Sequence, residues 1–246
     1  MSGGAGTILV VQHEDDCPPA LFGGWLSESG CRLDVCRPYA DDDLPVLDGY
    51  DGLLVLGGPM GADDDSEHHW LGPTKDRIRA AVETRLPTLG ICLGHQLIAS
   101  ALGGEVTRNP HGQQLGLLDI GWTGAARDDA LFAAVATPRR GVQWNDDVVA
   151  RLPEGATLIA GTARGEIQAA RFAPRTWGVQ LHPEVDTAVL RPWAASDKGS
   201  HEAAGIDQES LLGAIDAARE ELDAAWRPLA ASFAEQVAFY RAGRRG

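Results

Sequence analysis

Pro87-Thr88-Leu89-Gly90-Ile91-Cys92-Leu93-Gly94-His95-Gln96 carries a short apolar run into a Gly-x-Cys-x-Gly turn, then into a segment, His95 to Leu102, that reads as a helix. Glycines on both sides of the cysteine let the backbone bend sharply between strand and helix. Such a turn is a nucleophile elbow, which lifts the reactive side chain above the sheet. At a helix N-terminus, the peptide dipole and free N–H groups favour a thiolate. A free cysteine is more often a buried packing residue; the flanking glycines set Cys92 apart from that reading.

A cysteine nucleophile needs a base, and the base needs a third group that fixes its tautomer. Thr176-Trp177-Gly178-Val179-Gln180-Leu181-His182-Pro183-Glu184 reads as a strand ending in His-Pro-Glu. His182 is the candidate base. Alternation in an extended segment puts Glu184 on the same side as His182, and Pro183 stiffens the backbone between them. A third motif is a buried strand, Asp51-Gly52-Leu53-Leu54-Val55-Leu56, that runs into Gly57-Gly58-Pro59. Adjacent glycines allow close backbone approach and can aim N–H groups into a cleft. Gly58 suits one half of an oxyanion hole and the N–H of Leu93 the other; a plain strand-to-helix turn is the alternative. No phosphate-loop or dinucleotide glycine pattern follows.

In that order, Gly57-Gly58-Pro59, Gly90-Ile91-Cys92-Leu93-Gly94-His95-Gln96 and His182-Pro183-Glu184 resemble the class I (triad) glutamine amidotransferases. The likeness is closest to stand-alone proteins related to the glutaminase domain of GMP synthetase, and it covers about Thr7 to Val185. It implies Cys92 as nucleophile, His182 as base and Glu184 as its orienter. It also implies an oxyanion hole from Gly58 and Leu93, with Gly57, Gln96, Trp144 and Asn145 around the substrate. No metal or organic cofactor is expected. One departure stands out. Relatives usually carry Trp/Ser-His-Gly-Asp where this chain has Trp144-Asn145-Asp146-Asp147. Asn145 replaces the expected histidine and Asp146 the glycine. Either this bears on the amide substrate or the partner contact, or the loop faces solvent and tolerates both changes. An added carboxylate there repels an α-carboxylate or attracts an amine.

The 246 residues, 44% of them hydrophobic, suffice for one large α/β domain. No apolar run approaches the ~20 residues of a membrane span, and Met1 to Gly6 lacks a basic stretch and an apolar signal core. Cys17, Cys31, Cys36 and Cys92 form no Cys-x-x-Cys pair and are too few for a disulfide scaffold. A cytoplasmic setting is expected. The formal charge of -14 argues against a nucleic-acid surface. It favours solubility, and a basic partner is its functional alternative. Asp63 to His69 is read as an acidic loop beside the Gly57-Gly58 cleft, because its spacing matches no common metal pattern.

Outward from Cys92 the pattern alternates. Thr7–Val11, Cys31–Arg37, Leu53–Leu56 and Thr88–Ile91 read as strands, and Leu21–Ser29 and Thr74–Arg85 as helices. This order implies a doubly wound α/β fold, flavodoxin-like by the resemblance. Its mainly parallel, mixed sheet has helices on both faces and the site at the carboxyl ends of the strands. Glu105–Arg108, Leu115–Trp122, Thr157–Ala160, Glu166–Phe172 and Trp177–Gln180 read as the mixed and antiparallel part of that sheet. Residues 1–190 are expected to form the amidotransferase domain, with 191–246 a loop and C-terminal helical extension packed on it. Arg191 to Gly205 reads as the loop. Gln208 to Arg241 reads as one or two amphipathic helices, broken or kinked at Pro228. Their apolar face packs on the core or forms a homodimer or partner surface.

Three functions fit. The first is a glutaminase that releases ammonia from glutamine to a separate synthetase or acceptor enzyme. The second is a stand-alone hydrolase or transferase of γ-glutamyl amides, and the third a non-catalytic regulatory member. The intact Cys-His-Glu set argues against the third.

Overall fold

The computed structural model describes residues 6–137 and 139–245, so the N-terminal reading above falls mainly outside the described residues. The first half of the chain alternates as expected: β1 (Gly6–Val11), α1 (Ala20–Glu28), β2 (Cys31–Cys36), β3 (Gly52–Val55), α2 (Leu71–Thr84), β4 (Thr88–Ile91) and α3 (Leu93–Ala101). The elbow helix begins at Leu93, immediately after Cys92, and not at His95. Helix α2 begins at Leu71, which puts Pro73 in its first turn, where the missing N–H costs nothing.

Then follow β5 (Glu105–Arg108), β6 (Gln114–Asp119), β7 (Gly121–Trp122), β8 (Arg140–Asn145), β9 (Asp147–Arg151), β10 (Thr157–Gly161), β11 (Ile167–Ala173) and β12 (Thr176–Val179). The main sheet has eight strands in the order β2-β1-β3-β4-β12-β11-β10-β7. Strands β2, β1, β3, β4 and β12 are mutually parallel, and β11, β10 and β7 add antiparallel pairs. Strand β12 therefore lies beside β4, which makes neighbours of two segments distant in sequence.

Two features depart from the sequence reading. Glu105–Arg108 and most of Leu115–Trp122 do not join the main sheet. They pair as β5 with β9 and β6 with β8, in two separate antiparallel ribbons. Their partners, β8 and β9, flank Asp146 and were not expected as strands. Periodicity reports which residues prefer extended structure, while pairing depends on partners tens of residues away. Second, Arg191 to Gly205 is not a loop. Helix α4 (Thr187–Ser196) and α5 (Lys198–Ala203) fill it. Asp186 caps α4, its Oδ1 accepting from the Ala188 and Val189 N–H groups at 2.9 and 3.1 Å.

Alternation along β1 sorts the core onto two faces. Ile8 and Val10 pack with Phe22 and Leu26 of α1, whereas Leu9 and Val11 pack with Leu71 and Ile78 of α2 and Leu97 of α3. The chain ends in α6 (Gln208–Ala217) and α7 (Arg219–Arg245). Leu222, Trp226, Leu229, Phe233 and Val237 of α7 are buried in the α1-side core, each such side chain contributing about 2 kcal/mol. The amphipathic face thus packs on the core. Pro228 sits inside α7 and does not end it. Packing of the residues around it outweighs the ~3 kcal/mol preference against an interior proline.

Candidate active site

Cys92 lies between β4 and α3 with φ +51° and ψ −107°. A non-glycine residue in that region is strained, and strain of this kind persists only where the surroundings enforce it. Here they do. The Cys92 N–H donates to the Val179 carbonyl at 2.8 Å, continuing the β4–β12 pairing past the strand end. A Cβ added at Gly90 would collide with the backbone of Gly94 and His95, and one at Gly94 with the Val55 carbonyl. Both glycines are therefore demanded by close backbone contact. Leu93 begins the helix, so its N–H is among the first-turn donors that have no intrahelical acceptor.

His182, Pro183 and Glu184 lie in the turn after β12, just past the strand itself. The His182 N–H donates to the Val142 carbonyl of β8 at 2.8 Å, and the Glu184 carbonyl accepts from the Leu21 N–H at 3.0 Å. The turn is thus tied to the ribbon on one side and to α1 on the other. His182 Nδ1 and Glu184 Oε1 are 2.7 Å apart, with the two residues only 4% and 3% exposed. His182 Nε2 is buried without a hydrogen-bond partner. Gly57 stands beside both side chains: a Cβ there would stand 3.2 Å from His182 Cε1 and 3.6 Å from Cys92 Cβ. Burial opposes charge on the imidazole. The neighbouring Cys92 and Glu184 outweigh it, and hold His182 well above its ordinary pKa.

These groups open into a cleft of about 570 Å3. Gly58, Cys92, Gln96, Trp144, Asn145 and His182, all singled out from the sequence, line it. Gly57 and Leu93 do not line it but are close to residues that do, Gly57 to His182 and Leu93 to Gly58. Gln96 donates its amide hydrogens to the Asp147 carbonyl and to Gln180 Oε1, at 2.9 and 3.1 Å. Asn145 is the last residue of β8 and is 6% exposed, so the segment does not simply face solvent.

Several cleft residues escaped the sequence reading. Gln180 donates to Cys92 Sγ at 3.5 Å. It stands two residues before His182, and alternation could have found it. Trp193 of α4 stacks edge-on against the His182 ring at 4.9 Å and donates to the Asp16 carbonyl at 2.8 Å. Nothing local points to it, since it comes from the stretch expected as a loop. Glu14, Asp16 and Cys17 follow β1, where the rule that ligands bind beyond the carboxyl ends of parallel strands applies. In the Asp63–His69 loop, Asp65 and Asp63 pair with Lys75 at 2.5 and 3.7 Å.

The description "Glutamine amidotransferase class-I" belongs to the family that matches residues 25–193. One subunit of the glutamine-hydrolyzing GMP synthase from Halobacterium salinarum is 35% identical over 153 residues, covering 62% of this chain and 73% of that protein. Gamma-glutamyl peptidase 5 of Arabidopsis thaliana is 28% identical over 175 residues, covering 69% and 68%. The crystal structure of a glutamine amidotransferase from Thermotoga maritima superposes with a TM-score of 0.84 at 25% identity, over 93% of this chain and 98% of that one. With its fold, its elbow and the extent of that match in agreement, the chain belongs to the class I glutamine amidotransferases.

Proposed function

We propose that this protein cleaves a γ-glutamyl amide through a thioester on Cys92, with glutamine as the simplest substrate and ammonia passed to a separate acceptor enzyme. The observation that carries this reading is the buried His182–Glu184 contact of 2.7 Å beside a cysteine held at an elbow. The Cys92 thiolate adds to the amide carbonyl. The N–H groups of Gly58 and Leu93 meet the oxyanion, each donor being worth about 3 kcal/mol in such sites. Protonated His182 gives its proton to the departing nitrogen, and the C–N bond breaks. Water then adds to the thioester, with neutral His182 taking its proton, and the C–S bond breaks to free glutamate. Glu184 stays ionised and stabilises the imidazolium. The GMP synthase relative, itself one subunit of its enzyme, supports an acceptor on another chain.

A second reading is a stand-alone γ-glutamyl amide hydrolase. Its support is the size of the cleft, about 570 Å3, which suits ligands larger than glutamine, and the gamma-glutamyl peptidase among the relatives. Ammonia and glutamate release from glutamine by the purified chain, set against Cys92→Ala, tests the proposal. Release that disappears in the variant is the expected result. Equal release by both proteins would remove Cys92 from the chemistry.

A further inference from the structure

The cleft beside Cys92 carries a marked charge imbalance. Glu14, Asp16, Asp64, Asp146, Asp147 and Asp197 line it, and Arg108 is the one lysine or arginine among the described residues that does. Arg108 is held by Asp146 at 3.0 Å. The carboxylates come from three places: the end of β1, the loop after Gly58, and the wall formed by β8, β9 and α4. Burial raises the Asp147 pKa and the nearby charges of Asp146 and Asp64 raise it further, against the lowering effect of Arg108. Asp147 therefore feels acidic neighbours from its own wall and from the loop after Gly58.

Asn145 supplies a separate observation. Its Nδ2 donates to Gln114 Oε1 and to the Asp147 carbonyl, at 3.1 and 3.0 Å. Its Oδ1 is buried and has no donor. With Nδ2 committed to the protein, Oδ1 is the polar atom of this cleft-lining residue that is left without a partner. A buried acceptor without a donor is costly unless a ligand supplies one. Carboxylates and an unpaired amide oxygen together call for a ligand rich in N–H donors and positive charge. Among the described residues no three His, Cys, Asp or Glu converge as a metal would require. The charges are spread along a wall, which suits an extended organic cation.

We propose that the cleft selects γ-glutamyl amides whose amine portion carries a second, protonated nitrogen: γ-glutamyl conjugates of diamines or polyamines. This rests on the reading that Cys92 opens a γ-glutamyl amide. The chemistry is the same as for glutamine. Cys92 sulfur bonds to the γ-carbonyl carbon, the C–N bond breaks, and the leaving nitrogen takes the His182 proton and departs as the free amine. Water completes hydrolysis of the thioester. The remote ammonium remains protonated throughout and serves only in recognition, at the acidic wall and Asn145 Oδ1.

The experiment compares the γ-glutamyl amide of 1,4-diaminobutane with that of n-pentylamine, which replaces the ammonium by a methyl group. Turnover is measured on the wild type, and binding on Cys92→Ala. The expected result is a preference of about tenfold for the ammonium compound in both assays, weakened at ~0.5 M salt by screening. Asp16→Asn and Asp147→Asn, made separately, should each lower that ratio. A ratio near one in binding and turnover overturns the proposal, as does a preference that neither variant changes. Failure of either compound to turn over, with the binding preference intact, supports the cation selectivity and sinks the thioester reading instead.

Discussion

On one side of the cleft, Gly58, Cys92 and His182 follow β3, β4 and β12, which are consecutive parallel strands of the main sheet. On the other, Trp144, Asn145 and Asp147 come from two small ribbons, and Trp193 and Asp197 from α4 and its end. The first wall is immobilised by backbone. The Cys92 N–H donates to Val179 and the Leu56 N–H to Val11, and Gly90 and Gly94 admit no added atom. The second wall is made of backbone-paired ribbons, but its junctions with α3 and α4 are made by side chains: Trp144 Nε1 donates to Asp197 at 2.8 Å, Trp144 and Trp193 meet edge to face at 6.3 Å, and Gln96 crosses to Asp147. The lesson is a division of labour. A backbone-locked wall suits groups that must be held within tenths of an ångström. A side-chain wall can change its chemistry without disturbing the sheet, and it is there that Asn145 and Asp146 lie.

The largest effect should come from the backbone-locked wall. Cys92→Ala is expected to lower kcat by about 10⁴-fold or more, measured by glutamate release, with the fold unchanged by circular dichroism. Glu184→Gln keeps the volume and removes the charge behind His182, and a loss of about 10²-fold or more in kcat is expected with little change in KM. A pH–rate profile that does not move would break the assigned link between Glu184 and His182. Gly94→Ala tests rigidity without touching chemistry. A methyl driven against the Val55 carbonyl is expected to cost about 3 kcal/mol or more of stability, read from urea midpoints. Tolerance of that methyl would show that the elbow can yield.

For the other wall, Trp193→Ala is expected to raise KM about tenfold while kcat falls less, because the ring covers His182 without donating to it. Equal losses in kcat and kcat/KM would move Trp193 from the binding wall to the reaction itself.

The smallest effect concerns buried histidines. Burial lowers His13 and His95 to about 3. In the unfolded chain both take up protons near 6.5. Between these values the unfolded state holds more protons, so stability falls as pH drops, by up to about 1.4 kcal/mol per pH unit for each histidine. His182 has the opposite sign: its raised pKa stabilises the fold at low pH, and that contribution is lost as pH rises through the folded-state value. His13 Nδ1 accepts from Trp70 Nε1 at 3.1 Å. His13→Asn keeps an acceptor and removes the titration, and should flatten the acid slope of urea-unfolding free energies between pH 6 and 4. An unchanged slope would assign the acid sensitivity elsewhere.

Much of the backbone-locked wall was legible because its requirements are local. Gly90 and Gly94 bracket Cys92 within five residues, and His182 and Glu184 are two apart. Gln180 was legible in principle, at one strand period from His182. The opposite wall was not. Trp144 and Asn145 are legible only through the family resemblance, and their strand is not legible locally, because β8 pairs with β6, more than twenty residues earlier. Trp193 reaches His182 from α4, a helix capped by Asp186 in a stretch whose sequence reads largely as a loop.

By itself, then, the sequence determined the βα alternation, the two-sided core, the elbow and the order of the candidate site residues, since steric limits and short-range periodicity act within a few residues. Tertiary structure alone decided that β12 lies beside β4, so that Cys92 and His182, ninety residues apart, share one cleft. It also decided that six carboxylates from separated segments face the same space. Strand order and charge convergence depend on which distant surfaces bury one another, and no local pattern encodes that choice.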